Sequence, residues 1–164
     1  MKGRFIVSLM VTGIFVIGCP GGKHKVAETA KIHYNQGATH LKQGDYDQAI
    51  RDFDEAINID PGLALAFNNR GMAYVAKGNY DQAIRDFAKA IEIDPGLAEA
   101  YNNRGNALTD RYIFSEKLGY DAGIWSKRDY DQAIKDFTKA CELGIKEACE
   151  RKLLPNVQSR KDQR

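Results

Sequence analysis

Three cysteines, three histidines and one tryptophan in 164 residues leave little material for a metal centre or a nucleophilic dyad. Prolines number four, too few for a polyproline linker. Charge of one sign is also missing: 24 Lys and Arg stand against 22 Asp and Glu. Lys2 and Arg4 lie in a segment read below as removed, and without them the two signs balance. A neutral chain has no field to hold a phosphate backbone, so nucleic acid is not expected as a partner. No apolar run is long enough for a permanent transmembrane helix. The longest goes from Phe5 to Ile17 and is broken by Ser8, Thr12 and Gly13. As a helix it reaches roughly 20 Å, short of the ~30 Å hydrocarbon core. There is no Gly-rich phosphate loop and no spaced metal cluster. His33 and His40 fall at positions that hold Phe67 and Tyr74 in a later repeat, where interior packing explains them, and His24 lies outside the repeats. Asp and Glu read as caps and solvated faces. No catalytic residues, no metal and no cofactor are expected, and an enzyme is not.

What is present begins with an export signal. Lys2 and Arg4 form a basic n-region before the apolar run, which ends in Val16-Ile17-Gly18-Cys19. This ending resembles the bacterial lipobox, with Val16 where leucine is commoner. The resemblance implies removal of residues 1–18, lipidation of Cys19 as the new N-terminus, and membrane attachment through acyl chains that contribute ~0.8 kcal/mol per buried CH₂. A plain signal peptide with an incidental cysteine is the alternative reading. Residues 19–27, with Pro20, Gly21, Gly22, Lys23 and Lys25, read as a flexible tether. Pro20 is not the acidic residue that retains some lipoproteins at the inner membrane, which points to the periplasmic side of the outer membrane.

The body of the chain repeats itself. Gly44-Asp-Tyr-Asp-Gln-Ala-Ile-Arg-Asp-Phe53 returns as Gly78-Asn-Tyr-Asp-Gln-Ala-Ile-Arg-Asp-Phe87, and again as Asp129-Tyr-Asp-Gln-Ala-Ile-Lys-Asp-Phe137. Ala64-Leu-Ala-Phe-Asn-Asn-Arg-Gly71 returns in the same phase as Ala98-Glu-Ala-Tyr-Asn-Asn-Arg-Gly105, and Ile59-Asp60-Pro61 and Ile93-Asp94-Pro95 close the units. Within a unit, Phe67, Arg70, Gly71 and Tyr74 fall on one helical face, as do Tyr80, Ala83, Ile84, Phe87 and Ala90. Gly37, Gly71 and Gly105 are small where two backbones must approach closely, with Phe53, Phe87 and Phe137 filling the space beside them. Asp45 with Gln48, Asn79 with Gln82, and Asp129 with Gln132 have capping-box spacing. Pro61 and Pro95 fit the first turn of the next helix. No unit can bury its apolar face alone, so the units must stack.

The period, about 34 residues, and these motifs resemble the tetratricopeptide repeat (TPR) family. The resemblance implies an all-α fold, an α-solenoid of three helix pairs at 28–61, 62–95 and 96–142, with a capping helix over 143–155. Residues 156–164 read as a frayed polar tail. Repeat three departs from the pattern. Its second helix starts about half a period late, with an insertion over about 111–126. The inserted stretch carries Tyr112, Phe114, Tyr120 and Trp125. Gly119 and Gly123 divide it into a prolonged first helix, a turn and a lead into the last helix. The aromatics either fold back on the end of the solenoid or dock a partner. Gly144 is placed as a helix C-cap. Cys141 and Cys149 resemble the cysteine pair of Sel1-like repeats, which implies a disulfide; two buried free thiols are the alternative.

The resemblance further implies that the first helix of each repeat lines a concave groove. On that side lie Lys31, Tyr34, Asn35 and Ala38, then Leu65, Asn68, Asn69 and Met72, then Glu99, Asn102, Asn103 and Asn106. Asn35, Asn69 and Asn103 recur once per period and resemble the asparagine ladder that holds extended peptides in the TPR groove of O-GlcNAc transferase. Asparagines that merely fit helix–helix contacts are the alternative. TPR domains that grip a C-terminal carboxylate use lysines on this face. With Tyr34 at one such position and Glu99 at another, that clamp is broken and a chaperone tail is not expected. The expected function is a lipid-anchored adaptor or assembly factor of the bacterial cell envelope that binds a protein or peptide ligand in the groove. Two rivals stay open: a self-associating structural protein, and a glycan or small-molecule binder using the aromatic insertion. The motifs do not specify the oligomeric state.

Overall fold

A computed structural model describes residues 21–117 and 125–151. Among them every regular element is a helix: α1 (Gly21–Gln43), α2 (Tyr46–Ile59), α3 (Ala64–Ala76), α4 (Tyr80–Ile93), α5 (Ala98–Lys117), α6 (Trp125–Glu142) and α7 (Lys146–Arg151). The pairs α1/α2, α3/α4 and α5/α6 make the largest contacts, and each pair stacks on the next. Residues 1–20, 118–124 and 152–164 lie outside the described residues, and with them Cys19, Tyr120, the signal segment and the tail.

The three pairs close on the same contact. Phe53, Phe87 and Phe137 are 0%, 0% and 1% exposed, each worth ~2–3 kcal/mol of burial. Opposite them stand Gly37, Gly71 and Gly105. A Cβ on these glycines would lie 2.8, 2.7 and 2.7 Å from a ring carbon of the same repeat's phenylalanine. The glycine lets the ring lie directly on the helix backbone and draws the two axes together. Ala49, Ala83 and Ala133 line the same seam, at 0%, 0% and 3% exposure.

Each repeat also buries a carboxylate at the residue before its phenylalanine. Asp86 is 3% exposed and takes two hydrogen bonds from Arg70, at 2.8 and 2.7 Å. Asp136 is 1% exposed and takes two from Arg104, both 2.7 Å. Repeat one has Gln36 at the arginine position, and Asp52 pairs instead with His40 Nδ1 at 2.6 Å and Gln48 at 3.2 Å. Burial pushes the Asp86 carboxyl upward against the pull of Arg70, whose guanidinium is held charged by Asp86 and Asp54 although burial opposes it. The reading of all acidic residues as caps and exposed charges therefore needs correction at Asp52, Asp86, Asp129 and Asp136, which are buried.

Further corrections concern boundaries. Among the described residues, the tether expected over 19–27 is helical from Gly21, because α1 propagates backward once its repeat portion is nucleated. Asp45 and Asn79 cap α2 and α4, accepting from Gln48 N at 3.3 Å and Gln82 N at 3.4 Å. Asp129 does not cap. It lies inside α6, where no backbone N–H is free, and its carboxylate accepts from Arg111 Nη2 at 2.6 Å. Pro61 and Pro95 sit in the turns before α3 and α5 rather than in their first turns. Gly144 ends α6 with φ +106°, which only glycine adopts cheaply.

The close approach generates a prediction. Gly71→Ala places a methyl against an immobile ring, an overlap costing about 2–3 kcal/mol, partly offset by the ~1 kcal/mol that alanine contributes to a helix. Urea unfolding should show a net loss of about 1–2 kcal/mol. In a Phe87→Leu background the same substitution should be neutral or stabilising. A stabilising Gly71→Ala in the wild type would contradict the contact.

Candidate functional site

The first helices touch one another, α1 with α3 and α3 with α5, whereas the second helices of successive repeats do not approach comparably. The stack is therefore tighter on the side of α1, α3 and α5, and these helices line its concave face.

Two hydrogen bonds of one kind cross this face. Asn69 Nδ2 donates to Tyr34 Oη at 3.2 Å, and Asn103 Nδ2 donates to Asn68 Oδ1 at 3.0 Å, each linking one repeat to the next. Asn68 Nδ2 donates to Asn69 Oδ1 at 3.2 Å, joining the two into one chain from α1 to α5. Such a run of amides and a phenol fixes the register of one repeat against the next. Tyr34 is half-buried with its ring 6.0 Å from that of Phe53, and Asn68 is only 4% exposed.

The ladder residues thus also bond to one another. Asn69 and Asn103 each donate one of their two amide N–H groups along the stack, and Asn68 is buried, so these side chains hold repeats together. Asn35 has the same repeat position but, among the described residues, no preceding repeat to donate to, and it stays exposed outside the chain of bonds. Asn102, equivalent to Asn68, has no donor opposite it. Its Oδ1 is buried without a hydrogen-bond partner. Aligning buried Ala148 with buried Ala100 places Arg151 of α7 opposite Asn103's repeat position, and Arg151 donates to Asn106 Oδ1 instead.

Open apolar surface remains between the amides. Leu65 and Met72 are 44% and 41% exposed on α3. Beside Met72 a cavity of about 430 Å³ opens toward α5, walled by Val75, Ala76 and Phe87 and rimmed by Asn103, Asn106, Asp110 and Arg151. Burial pushes the Asp110 carboxyl upward, opposed by the nearby Arg151 charge.

The inserted aromatics divide. Phe114 is exposed yet lies 6.1 Å from the ring of Tyr80 on α4, so this one folds back on the solenoid. Tyr112 is half-buried, and Trp125 begins α6. Arg111 clamps the prolonged α5 to both neighbours, donating to Asp81 at 2.5 Å and Asp129 at 2.6 Å. At the other end Cys141 and Cys149 are joined by a disulfide with Cα atoms 4.8 Å apart, tying α7 to α6. On the chain-entropy model a loop this short contributes roughly 2–3 kcal/mol. Among the described residues no three His, Cys, Asp or Glu side chains gather as metal ligands, and no helix is long and apolar enough to cross a membrane.

The family model for the tetratricopeptide repeat matches residues 28–96. The second TPR domain of human RPAP3, solved with the HSP70 peptide SGPTIEEVD, is 30% identical at a TM-score of 0.60, the alignment covering 80% of this chain and 95% of that one. The chain belongs to the tetratricopeptide repeat family. The TPR model's match stops at the start of repeat three, which the insertion over about 111–126 puts out of phase. The second TPR of Spaghetti (RPAP3) bound to the HSP90 peptide SRMEEVD is 27% identical, at a TM-score of 0.61 over 75% of this chain and 98% of that one. The Arabidopsis OM64 TPR domain is 26% identical, at 0.61 over 77% and 95%. No curated protein sequence matches significantly. TPR domains are in general interaction modules rather than enzymes.

The inter-repeat bonds give a test of their own. Asn103→Ala removes the donor to Asn68 Oδ1 and leaves that buried oxygen unpaired, a loss of about 1–2 kcal/mol. Asn35→Ala, at the same repeat position without a partner repeat, should change stability by less than about 0.5 kcal/mol. Equal losses by thermal unfolding would contradict the register role.

Proposed function

We propose that this chain is a lipid-anchored protein–protein interaction module of the bacterial cell envelope, an adaptor or assembly factor that holds a segment of another protein on its concave face. The observation that carries the binding reading is the pair of exposed apolar side chains, Leu65 and Met72, standing on that face amid amides. Apolar surface edged by fixed polar groups is what extended or helical peptides dock on. Similar TPR domains hold peptides, those of RPAP3 having been solved with SGPTIEEVD and with SRMEEVD. The anchoring part of the reading rests on Val16-Ile17-Gly18-Cys19 after an apolar run, with attachment to the outer membrane favoured by Pro20.

A photo-crosslinking amino acid at Met72 should yield an adduct with a partner in cells, and the same group at Arg85, exposed on the second helix of repeat two, should not. Equal adducts from both positions would sink the groove reading. For the anchor, the protein should fractionate with membranes and take up labelled fatty acid, and Cys19→Ser should abolish both. Unchanged labelling in that variant would remove the lipid from Cys19.

A further inference from the structure

The concave face carries an order of charge that peptide binding alone does not require. Three positions equivalent by the repeat read Lys31 on α1, Leu65 on α3 and Glu99 on α5. A second row, three helical turns further along each helix, reads Lys42, Ala76 and Asp110. All six side chains are exposed. Both rows therefore run in the same direction, from cation through an apolar centre to carboxylate. Met72 lies between the rows on α3, 41% exposed.

The surrounding charges leave this order in place. Glu28 is equivalent to Gly62 and Gly96, which lie in the turns before α3 and α5, at the edge of the face. Arg151 reaches the α5 end, donates to Asn106 and lies 5.9 Å from the Phe137 ring; its charge acts on Asp110 and leaves Glu99 as the less compensated carboxylate. Glu147, placed opposite Glu99 by the alignment of Ala148 with Ala100, extends the acidic end onto α7. The only buried side-chain acceptor without a donor among the described residues, Asn102 Oδ1, is also at the α5 end.

Building on the groove reading, we infer that the concave face takes an extended peptide of split charge, its acidic residue lying on α1, its apolar centre on Leu65 and Met72, and its basic residue on α5. Three first helices about 10 Å apart span about 20 Å, a distance covered by about six to eight extended residues. A ligand acidic throughout would set its far end against Glu99 and Asp110, and a ligand basic throughout would meet Lys31 and Lys42. Charge order across such a face selects the partner and the direction in which it lies more than it adds affinity.

Fluorescence anisotropy on the whole chain tests this with three labelled probes. One is an eight-residue peptide with two glutamates, a Leu- and Ser-containing centre and two lysines. The second is the first with its lysines replaced by glutamate, and the third is the first with its glutamates replaced by lysine. At low salt the split-charge peptide should bind about 5- to 20-fold tighter than either other probe. Glu99→Lys/Asp110→Lys should move the preference to the acidic probe, and Lys31→Glu/Lys42→Glu should move it to the basic probe. Affinities equal within twofold, or preferences unchanged in both variants, would overturn the charge order while leaving the groove reading standing. No binding by any probe would remove the groove reading and this inference together.

Discussion

The structure depends on a ring lying directly against a bare stretch of helix. Phe53, Phe87 and Phe137 occupy the volume that a side chain at Gly37, Gly71 or Gly105 would need. That contact fixes the separation of the two helices in each pair, and the alanines around it leave no slack. Because the three pairs are built alike, they can be superposed in register, and the Asn–Tyr and Asn–Asn bonds hold that register on one side only. A stack drawn together on one side curves, and the concave face follows.

Polar groups do two jobs here. The buried Arg70–Asp86 and Arg104–Asp136 pairs sit beside the phenylalanines. Removing one partner of such a pair strands a charge, whereas replacing both by apolar groups of similar shape costs little. They are best understood as setting which helix faces which, a specificity device repeated with the period. Repeat one reaches the same end with His40 and Gln48, so Asp52 keeps its burial after losing its arginine. Among the described residues the exposed charges of the concave face form no such buried pair, although Arg151 acts on Asp110, and their order across α1, α3 and α5 is available to a ligand.

Much of this is legible in the sequence. The repeat period delivers the helix pairs, and the glycine and phenylalanine stripes deliver the seam, because both follow from local periodicity. What escapes is partnership across the stack. Arg70 is visible on the packing face, but its counter-charge Asp86 lies on another helix, and only the recurrence of Asp before Phe hints at it. Asp129 looks like its capping homologues until α6 is seen to begin at Trp125, a full turn earlier than the repeat predicts. Asn68 and Asn69 are neighbours in the chain with opposite fates. One is buried as a hinge of the ladder and the other half-buried as its donor, a difference set by helix rotation of a fraction of a turn. The aromatic insertion is legible as an insertion, and Phe114 settles against Tyr80 through a contact no local pattern encodes.

Helix pairs closed by the glycine–phenylalanine seam and drawn together along α1, α3 and α5 make the faces of those three helices the binding surface. Amide chemical-shift mapping of the isotopically labelled protein, titrated with the split-charge peptide, tests this most directly. The account predicts shifts concentrated at Lys31, Asn35, Leu65, Met72 and Glu99, with the outward residues of α2 and α4 still. Shifts concentrated on α2, α4 and α6 instead would contradict it.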